Sequence, residues 1–501
     1  MKSWPEVYIP TIDSKFDTPN LQLFNSHSRK IEKLPSKKTF RMYVCGITPY
    51  DSTHLGHAAT YLSFDLINRY LRAMKSEVLF VENITDIDDP LLVRAARDGI
   101  NWQDLADSQI ELFRSDMTSL RVLPPKFYIG AVEAIGLVTT KIEELKSAGA
   151  IYSVENDLYF RVHSDPDFGS RSHLSVDDCL KTFAERGGDP ERVGKENPLD
   201  SLVWLSKREN EPGWPSIHGE GRPGWHIECS AMATKYLGKK FDIHGGGMDL
   251  QFPHHECEIA QSTVCNHEIP ARYWMHNNMI TINGRKMGKS YNNVIKLSEL
   301  FSGNHHELTQ AYTPMTVRFF ILQSQYRGTL DFSNEALQAS EKALRRLMEA
   351  YEWLKAQSFV AGTTAKDDNL DAQVNTWLKE LTEFMEDDFN TAKVVANLFE
   401  IIPTINSLKD KHITIDALSG ATWIFAQEQL TLFIENILGL KVDTGANRQQ
   451  LNSVIQLLIE IRKDAKARKD FATSDKIRNQ LTDMGIQLKD EKDGEMSYTF
   501  A

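Results

Sequence analysis

The sequence predicts an α/β fold followed by a helical region, and three observations carry that prediction. An apolar run, Phe40 to Val44, precedes the tetrapeptide His54-Leu55-Gly56-His57, after which Tyr61, Phe64, Ile67, Leu71 and Met74 recur at helical spacing. A second apolar run, Glu77 to Val81, completes a strand, turn, helix, strand unit with the histidines at a helix N-terminus. Far downstream, Ala336 to Leu354 and Leu370 to Leu408 carry apolar residues at helical spacing with charged faces, the pattern of a helical bundle.

Between these regions, Pro125 to Arg222 reads as an insertion, with loop-rich stretches such as Arg186-Gly187-Gly188-Asp189-Pro190 and Glu209 to Pro215. Gly362 to Asp368 is small and polar, a loop between the two helical stretches. No internal repeat or low-complexity tract interrupts the chain. At 501 residues and 25% charged it is long enough for several domains with sizeable cores.

Composition narrows the class of function. No apolar stretch approaches the roughly 20 residues that span a membrane, and Met1 to Pro19 lacks the basic-then-apolar pattern of a signal peptide. Five cysteines, an odd number, argue against a disulfide framework and for free thiols or metal ligands, which points to the cytoplasm. A net charge of −12 gives no global attraction for nucleic acid, so such a partner must dock on a local basic patch. Residues 461 to 478 supply one: Arg462, Lys463, Lys466, Arg468, Lys469, Lys476 and Arg478 stand against Asp464, Asp470 and Asp475, a balance of +4. On charge alone this patch equally describes a solvated helix.

Two separated motifs carry the chemistry. A helix N-terminus offers free N–H groups and a positive dipole end to phosphate. Histidines there donate to phosphate oxygens as charge builds in a transition state, and Gly56 lets a flat adenine or ribose approach the backbone. The distant loop Lys286-Met287-Gly288-Lys289-Ser290 has lysines suited to a departing pyrophosphate. Singly, the first motif reads as capping and the second as a solvated turn; their order and flanking elements make the pair an ATP-splitting nucleotidyl-transfer signature.

A second constellation is a ligand cluster. Cys45 follows the first strand, and Cys229 follows Gly224-Trp225-His226-Ile227-Glu228; both are expected at a strand's carboxyl end, where ligands bind in open α/β sheets. Downstream, His254 and Glu258 lie four apart and share a face if the segment is helical. Two thiolates, an imidazole and a carboxylate suit zinc, whereas spacing alone equally allows inert buried cysteines beside a polar network.

Through HLGH and KMGKS the chain resembles the class I aminoacyl-tRNA synthetases, which implies a Rossmann-type catalytic fold. The strings MYVCGITPYDSTHLGHA, NITDIDD, GRPGWHIECSAM and DIHGGGMDLQFPHHECEIAQS are similar to those of the cysteinyl-tRNA synthetase family. That resemblance implies one zinc per chain on Cys45, Cys229, His254 and Glu258, leaving Cys179, Cys257 and Cys265 unassigned. It implies a cysteine pocket shaped by Gly46, Thr48, Thr85 and Trp225, and an ATP site at His54, Gly56, His57, Gly247, Asp249, Lys286 and Lys289, with magnesium accompanying ATP. His54, His57, Lys286 and Lys289 are the implied catalytic set. The family's loop usually has serine where Gly288 stands. Near the C-terminus, KARKDFATSDKIRNQLTDMGIQLKD resembles the family's anticodon-binding end and implies contacts from Lys466, Phe471, Asp475 and Asp490 to tRNA(Cys).

The implied organisation is a first catalytic half at 1–124, a connective insertion at 125–222, a second catalytic half at 223–260, and a stem-contact region with the KMGKS loop at 261–330. A helical bundle at 331–445 and an anticodon-binding domain at 446–501 follow. The expected activity is ATP-dependent activation of L-cysteine and its transfer to a tRNA 3′ end. A rival comes from LGHAATYLSFD, Pro90 and FAERGGDPERVGK, which resemble the cysteine ligase of mycothiol synthesis, an enzyme that joins cysteine to an amino sugar. Ala59 stands where the synthetases usually have a basic residue. Glu258 and the C-terminal extension favour the synthetase. A non-catalytic RNA-binding paralogue ranks last, because no signature histidine or lysine is lost.

Overall fold

The structure is a computed structural model, and it describes residues 1–10, 20–288, 291–442, 446–468, 470–483, 486–490 and 496–500. The chain forms two compact units, Met1–Lys441 and Val442–Ala501. At the centre of the first is a parallel sheet of five strands: β1 (Thr39–Val44), β2 (Glu77–Ile84), β3 (Phe127–Gly130), β4 (Phe241–Gly247) and β5 (Ala271–Asn277). Their spatial order is β5-β4-β1-β2-β3, with Met42 beside Phe80 on one flank and Ile243 on the other. The order reverses between β1 and β4, so the crevice at their carboxyl ends is where this topology binds ligands.

The helix Leu55–Ala73 crosses from β1 to β2. It is buried on nearly every face because the sheet covers one side and the helical region the other: Tyr61, Phe64, Ile67 and Leu71 are all within 4% of full burial. Asp65 on this helix binds two buried arginines, Arg69 (Nε–Oδ2 2.7 Å) and Arg318 (Nη2–Oδ2 2.5 Å). Arg318 also donates to the carbonyls of Leu438 (2.7 Å) and Leu120 (2.8 Å), so the surplus positive charge is met by peptide oxygens.

The insertion between β3 and β4 has its own antiparallel sheet, Ile151–Val154, Asp157–Phe160, Ser201–Ser206 and Gly221–Pro223, paired in that order. Phe160, Phe183 and Trp204 fill its core. The periodic stretch Leu370 to Leu408, read from sequence as one run, is broken into helices Asp368–Glu386 and Thr391–Lys409. Asp388 and Phe389 both adopt φ 53° between them. Asp388 is drawn out of the helix by its carboxylate, which accepts from Phe24 N (2.8 Å), Tyr326 Oη (2.8 Å) and Arg327 Nε (2.6 Å). Such partners lie beyond any local pattern.

The second unit packs helices Ala446–Ala467 and Phe471–Asp483 against the hairpin Ile486–Asp490 and Met496–Phe500, around Ile455, Ile459, Leu481 and Ile486. Among the described residues, no helix is long and apolar enough to cross a membrane.

Candidate active site and metal centre

Cys45 leaves the carboxyl end of β1, as expected from sequence. Cys229 does not end a strand: it lies inside the helix Trp225–Leu237. The preceding strand is the insertion's edge, Gly221–Pro223, and Gly224 caps the helix where a Cβ would come within 2.0 Å of Leu202 O. The helix therefore starts at Trp225 and turns Cys229 back toward β1.

Cys45, Cys229, His254 and Glu258 converge, each offering a ligand atom within 4.8 Å of the others, and all four are buried. Cys45 Sγ lies 3.9 Å from Cys229 Sγ and 3.6 Å from Glu258 Oε1, and His254 Nε2 lies 3.2 Å from the same carboxylate oxygen. His254 lies in the π-helical turn Gln251–His255 that runs into the helix Glu256–Asn266, so the four-residue spacing does put it on Glu258's face. Burial pushes both thiols up, with the neighbouring sulfur as the next influence on Cys45, and holds His254 well below the usual imidazole range. A dry set of two sulfurs, one nitrogen and one oxygen gains most from a soft divalent cation that keeps the thiols deprotonated, and the donor set fits zinc.

More histidines back this centre than the sequence reading assigned. His226 Nδ1 meets His254 Nδ1 at 2.9 Å, leaving His254 Nε2 to face the other ligands. His244 Nε2 lies 2.9 Å from Glu258 Oε2, and His255 Nε2 lies 3.4 Å from Cys45 Sγ. These last two make an overlapping ligand set, Cys45, His244, His255 and Glu258. His255 in turn meets His276 Nε2 at 2.8 Å. His226, His244 and His255 stand within quoted motifs without a ligand role assigned there, whereas His276 lies outside them and is recruited by the fold alone.

At the other end of the crevice, His54 caps the helix Leu55–Ala73: its Nδ1 accepts from His57 N at 3.2 Å, and the two rings stack 3.7 Å apart at 13°. A Cβ on Gly56 would meet both the His54 ring and Met287 Cε at 3.0 Å, so the distant loop lies over the tetrapeptide. Asn293 clasps that loop, accepting from Gly288 N (2.9 Å) and donating to Lys286 O (3.0 Å). Lys286 is exposed; Lys289 lies outside the described residues. One cleft of about 620 Å³ joins the two ends, lined by Cys45, Gly46, Thr48, His57, Trp225, Gly247 and Asp249 among others.

The family described as tRNA synthetases class I (C) catalytic domain matches residues 31–342. The chain belongs to the class I tRNA synthetases. A DALR domain matches residues 380–440. The cysteine–tRNA ligase of Bacteroides thetaiotaomicron is 43% identical over 90% of this chain and 93% of its own length. That of Parabacteroides distasonis is 42% identical over 95% and 98%. An L-cysteine:1D-myo-inositol 2-amino-2-deoxy-alpha-D-glucopyranoside ligase of Thermomonospora curvata is 46% identical over 73% of this chain and 86% of its own length. Methionyl-tRNA synthetase of Mycobacterium tuberculosis, at 16% identity, shares the fold with a TM-score of 0.55 over 80% of this chain and 92% of its own.

In this synthetase the walls of the expected cysteine pocket have distinct origins. A Cβ on Gly46 would lie 1.5 Å from Asn83 O, so no larger residue fits between β1 and β2 there. Trp225 packs on the His254 ring, centroids 4.3 Å apart. Thr85 stands outside the cleft lining, buried, donating from Oγ1 to Glu228 Oε2 at 3.1 Å; burial drives the Glu228 carboxyl well up. Glu228 was not singled out in the sequence. Gly247 would carry a Cβ 2.3 Å from Asp249 Oδ1, which keeps that carboxylate against the backbone at the end of β4.

In the C-terminal unit, Lys466 lies half-buried in the last turn of one helix and Phe471 begins the next at 62% exposed. Asp475 is exposed on that second helix, 3.6 Å from Arg478 Nη2. The backbone of Asp490 ends a hairpin strand, and its side chain lies outside the described residues.

Proposed function

We infer that the chain is a cysteine–tRNA ligase that activates L-cysteine with ATP in the cytoplasm and transfers it to tRNA(Cys). The observation that carries this reading is a single cleft running from Cys45 of a Cys₂HisGlu centre to His57 of the signature helix start, over which Met287 of the second motif lies. The assignment of zinc to Cys45, Cys229, His254 and Glu258 is supported by their convergence and by the donor chemistry. When bound, zinc takes up a substrate thiolate far better than a serine hydroxyl, so selection needs no editing; pocket shape alone gives about 10- to 200-fold per small group. Magnesium bound with ATP neutralises part of its phosphate charge.

This chain's residues would then orient the reactants. Trp225, Gly46 and Thr48 enclose the cysteine side chain, with Thr85 supporting the wall behind them through Glu228. The cysteine carboxylate forms a bond to the α-phosphorus of ATP as the bond to the pyrophosphate oxygen breaks. His54, His57 and the positive end of the helix dipole stabilise the charge on the α-phosphate. Gly247 and Asp249 receive the ribose, and Lys286 and Lys289 follow the leaving pyrophosphate. A ribose hydroxyl of the tRNA 3′ end next attacks the carbonyl and AMP departs. Lys466, Phe471, Asp475 and Asp490 are assigned to the anticodon, with 446–501 as the anticodon-binding domain, 331–445 as the bundle and 261–330 as the stem-contact region. Residues 1–124 and 223–260 are assigned to the catalytic halves around the insertion expected at 125–222, with the parallel sheet reaching past those bounds to Phe127–Gly130 and Ala271–Asn277, so the insertion starts after Gly130.

The second reading, joining cysteine to an amino sugar, is favoured by the 46% identity to the Thermomonospora ligase over 73% of this chain. Transfer of radiolabelled cysteine into acid-precipitable RNA, with ATP and unfractionated tRNA, decides between them. Charged tRNA is expected; cysteine-dependent ATP consumption without charging would transfer the assignment to the amino-sugar ligase.

A further inference from the structure

The segment after the signature loop is zipped onto the start of the signature helix. Leu55 N donates to Ile295 O at 3.0 Å and Leu297 N to Thr53 O at 2.9 Å, which sets Lys296 directly opposite His54. Glu299 Oε2 accepts from Lys296 N at 2.8 Å, so the backbone here is fixed independently of the lysine side chain. The ammonium reaches back to Asp51 Oδ1 at 3.2 Å, and Arg94 Nη1 takes the same oxygen at 2.9 Å. Among the described residues, this carboxylate thus faces at least two cations.

Arg94 is further anchored to Asp98 Oδ2 (3.0 Å) and to Tyr50 O (2.7 Å), and Asp98 also takes Arg97 (2.7 Å). Across this group, Arg94, Arg97 and Lys296 stand against Asp51, Asp98 and Glu299. Lys296 is held, among the described residues, by one ion pair; its side chain is 35% exposed, and a lysine stem swings where an arginine fork is pinned. Half-exposed pairs of this kind are weak and easily exchanged. Tyr50, adjacent to Asp51, lines the same cleft as His57. A polyphosphate laid from His57 past Gly56 toward Met287 therefore runs past the lysine held beside His54.

We propose that Lys296 is a third phosphate-binding lysine, which turns from Asp51 to the β- and γ-phosphates of ATP and to the pyrophosphate formed from them. The proposal rests on the reading of the His54–His57 helix terminus as the ATP site. It assigns Asp51 and Arg94 the role of parking the ammonium at the mouth of the site while the nucleotide is absent.

Cysteine-dependent ATP–pyrophosphate exchange by the full chain tests it without any tRNA. Lys296→Ala is expected to raise the KM for ATP and the inhibition constant of pyrophosphate about tenfold each, the scale of one hydrogen bond to a charged group. The KM for cysteine should not move, and Lys296→Arg should recover most of the loss. A KM for ATP within about twofold of the unmodified chain, or an arginine variant no better than alanine, would overturn the proposal while leaving the ATP site intact. Absence of cysteine-dependent exchange in the unmodified chain would overturn the proposal together with the reading beneath it.

Discussion

The metal centre and the phosphate end sit in one cleft yet are built on different physics. At the metal centre, Cys45, Cys229, His254 and Glu258 are all buried, and His226 and His255 hold them from behind. At the phosphate end Lys286 is exposed, Lys296 rests on one carboxylate, and the ordering groups are a helix terminus and a clasped loop. On the proposed assignment the first place would select a substrate by chemistry, so its donors would have to be fixed and dry before the substrate arrives. The second would release pyrophosphate each turnover, so its cations would have to let go. Removing a buried donor should therefore cost more than changing an exposed loop.

The largest effect is expected from Cys229→Ser. The variant should lose its metal and, with it, the preference for cysteine over serine, by about 100-fold or more, given that even supporting partners cost 10- to 100-fold. Metal analysis and the ratio of cysteine- to serine-dependent exchange give the two readings. A variant that keeps a full complement of metal removes Cys229 from the ligand set.

Next is His57→Ala, which takes a donor from the phosphate end. Loss of one preorganised donor to a developing charge slows the chemical step about 100- to 1,000-fold. Cysteine binding is decided at the far end of the cleft and should stay level. Equal losses in rate and in cysteine affinity would mean that the two ends are not separable.

These two residues also show how far the sequence could be read. The β1–helix–β2 unit was legible because its signals are local: an apolar run, a capping histidine, a helical period. Glu258 was legible from His254 by helical spacing. Cys229 is expected at a strand's end because it follows the Gly-rich, aromatic segment Gly224-Trp225-His226-Ile227-Glu228. The strand that precedes it belongs instead to the insertion's edge, and the catalytic sheet resumes only at Phe241. His226, His276 and Glu228 were invisible as site residues, since a buried histidine becomes a ligand's partner only when the fold brings it within reach. The break at Asp388 was hidden for the same reason.

His226→Ala sharpens the contrast by leaving every ligand in place. His254 Nδ1 would lose its partner at 2.9 Å, and zinc affinity should fall about 10- to 100-fold, as for other partners of a ligating histidine. Competition with a chelator measures it. Unchanged affinity would shift weight to the overlapping set, Cys45, His244, His255 and Glu258, in which His226 has no part.

The smallest effect is expected at the loop itself, from Gly288→Ser. A glycine here gives the free loop more conformations to lose on closing, and replacing one at a tolerant position is worth about 0.4–1 kcal/mol, or roughly 2- to 5-fold. Asn293 already spans the loop, binding Gly288 N and Lys286 O, so much of that freedom is removed before ATP arrives. The serine variant should lower the KM for ATP by no more than this factor in exchange assays. Asn293→Ala should raise it by more, because the clasp is then gone and the glycine's freedom returns. If serine changed the rate as strongly as His57→Ala does, the loop would have to be a preformed donor site like the metal centre, and the contrast between a fixed end and a releasing end would fail.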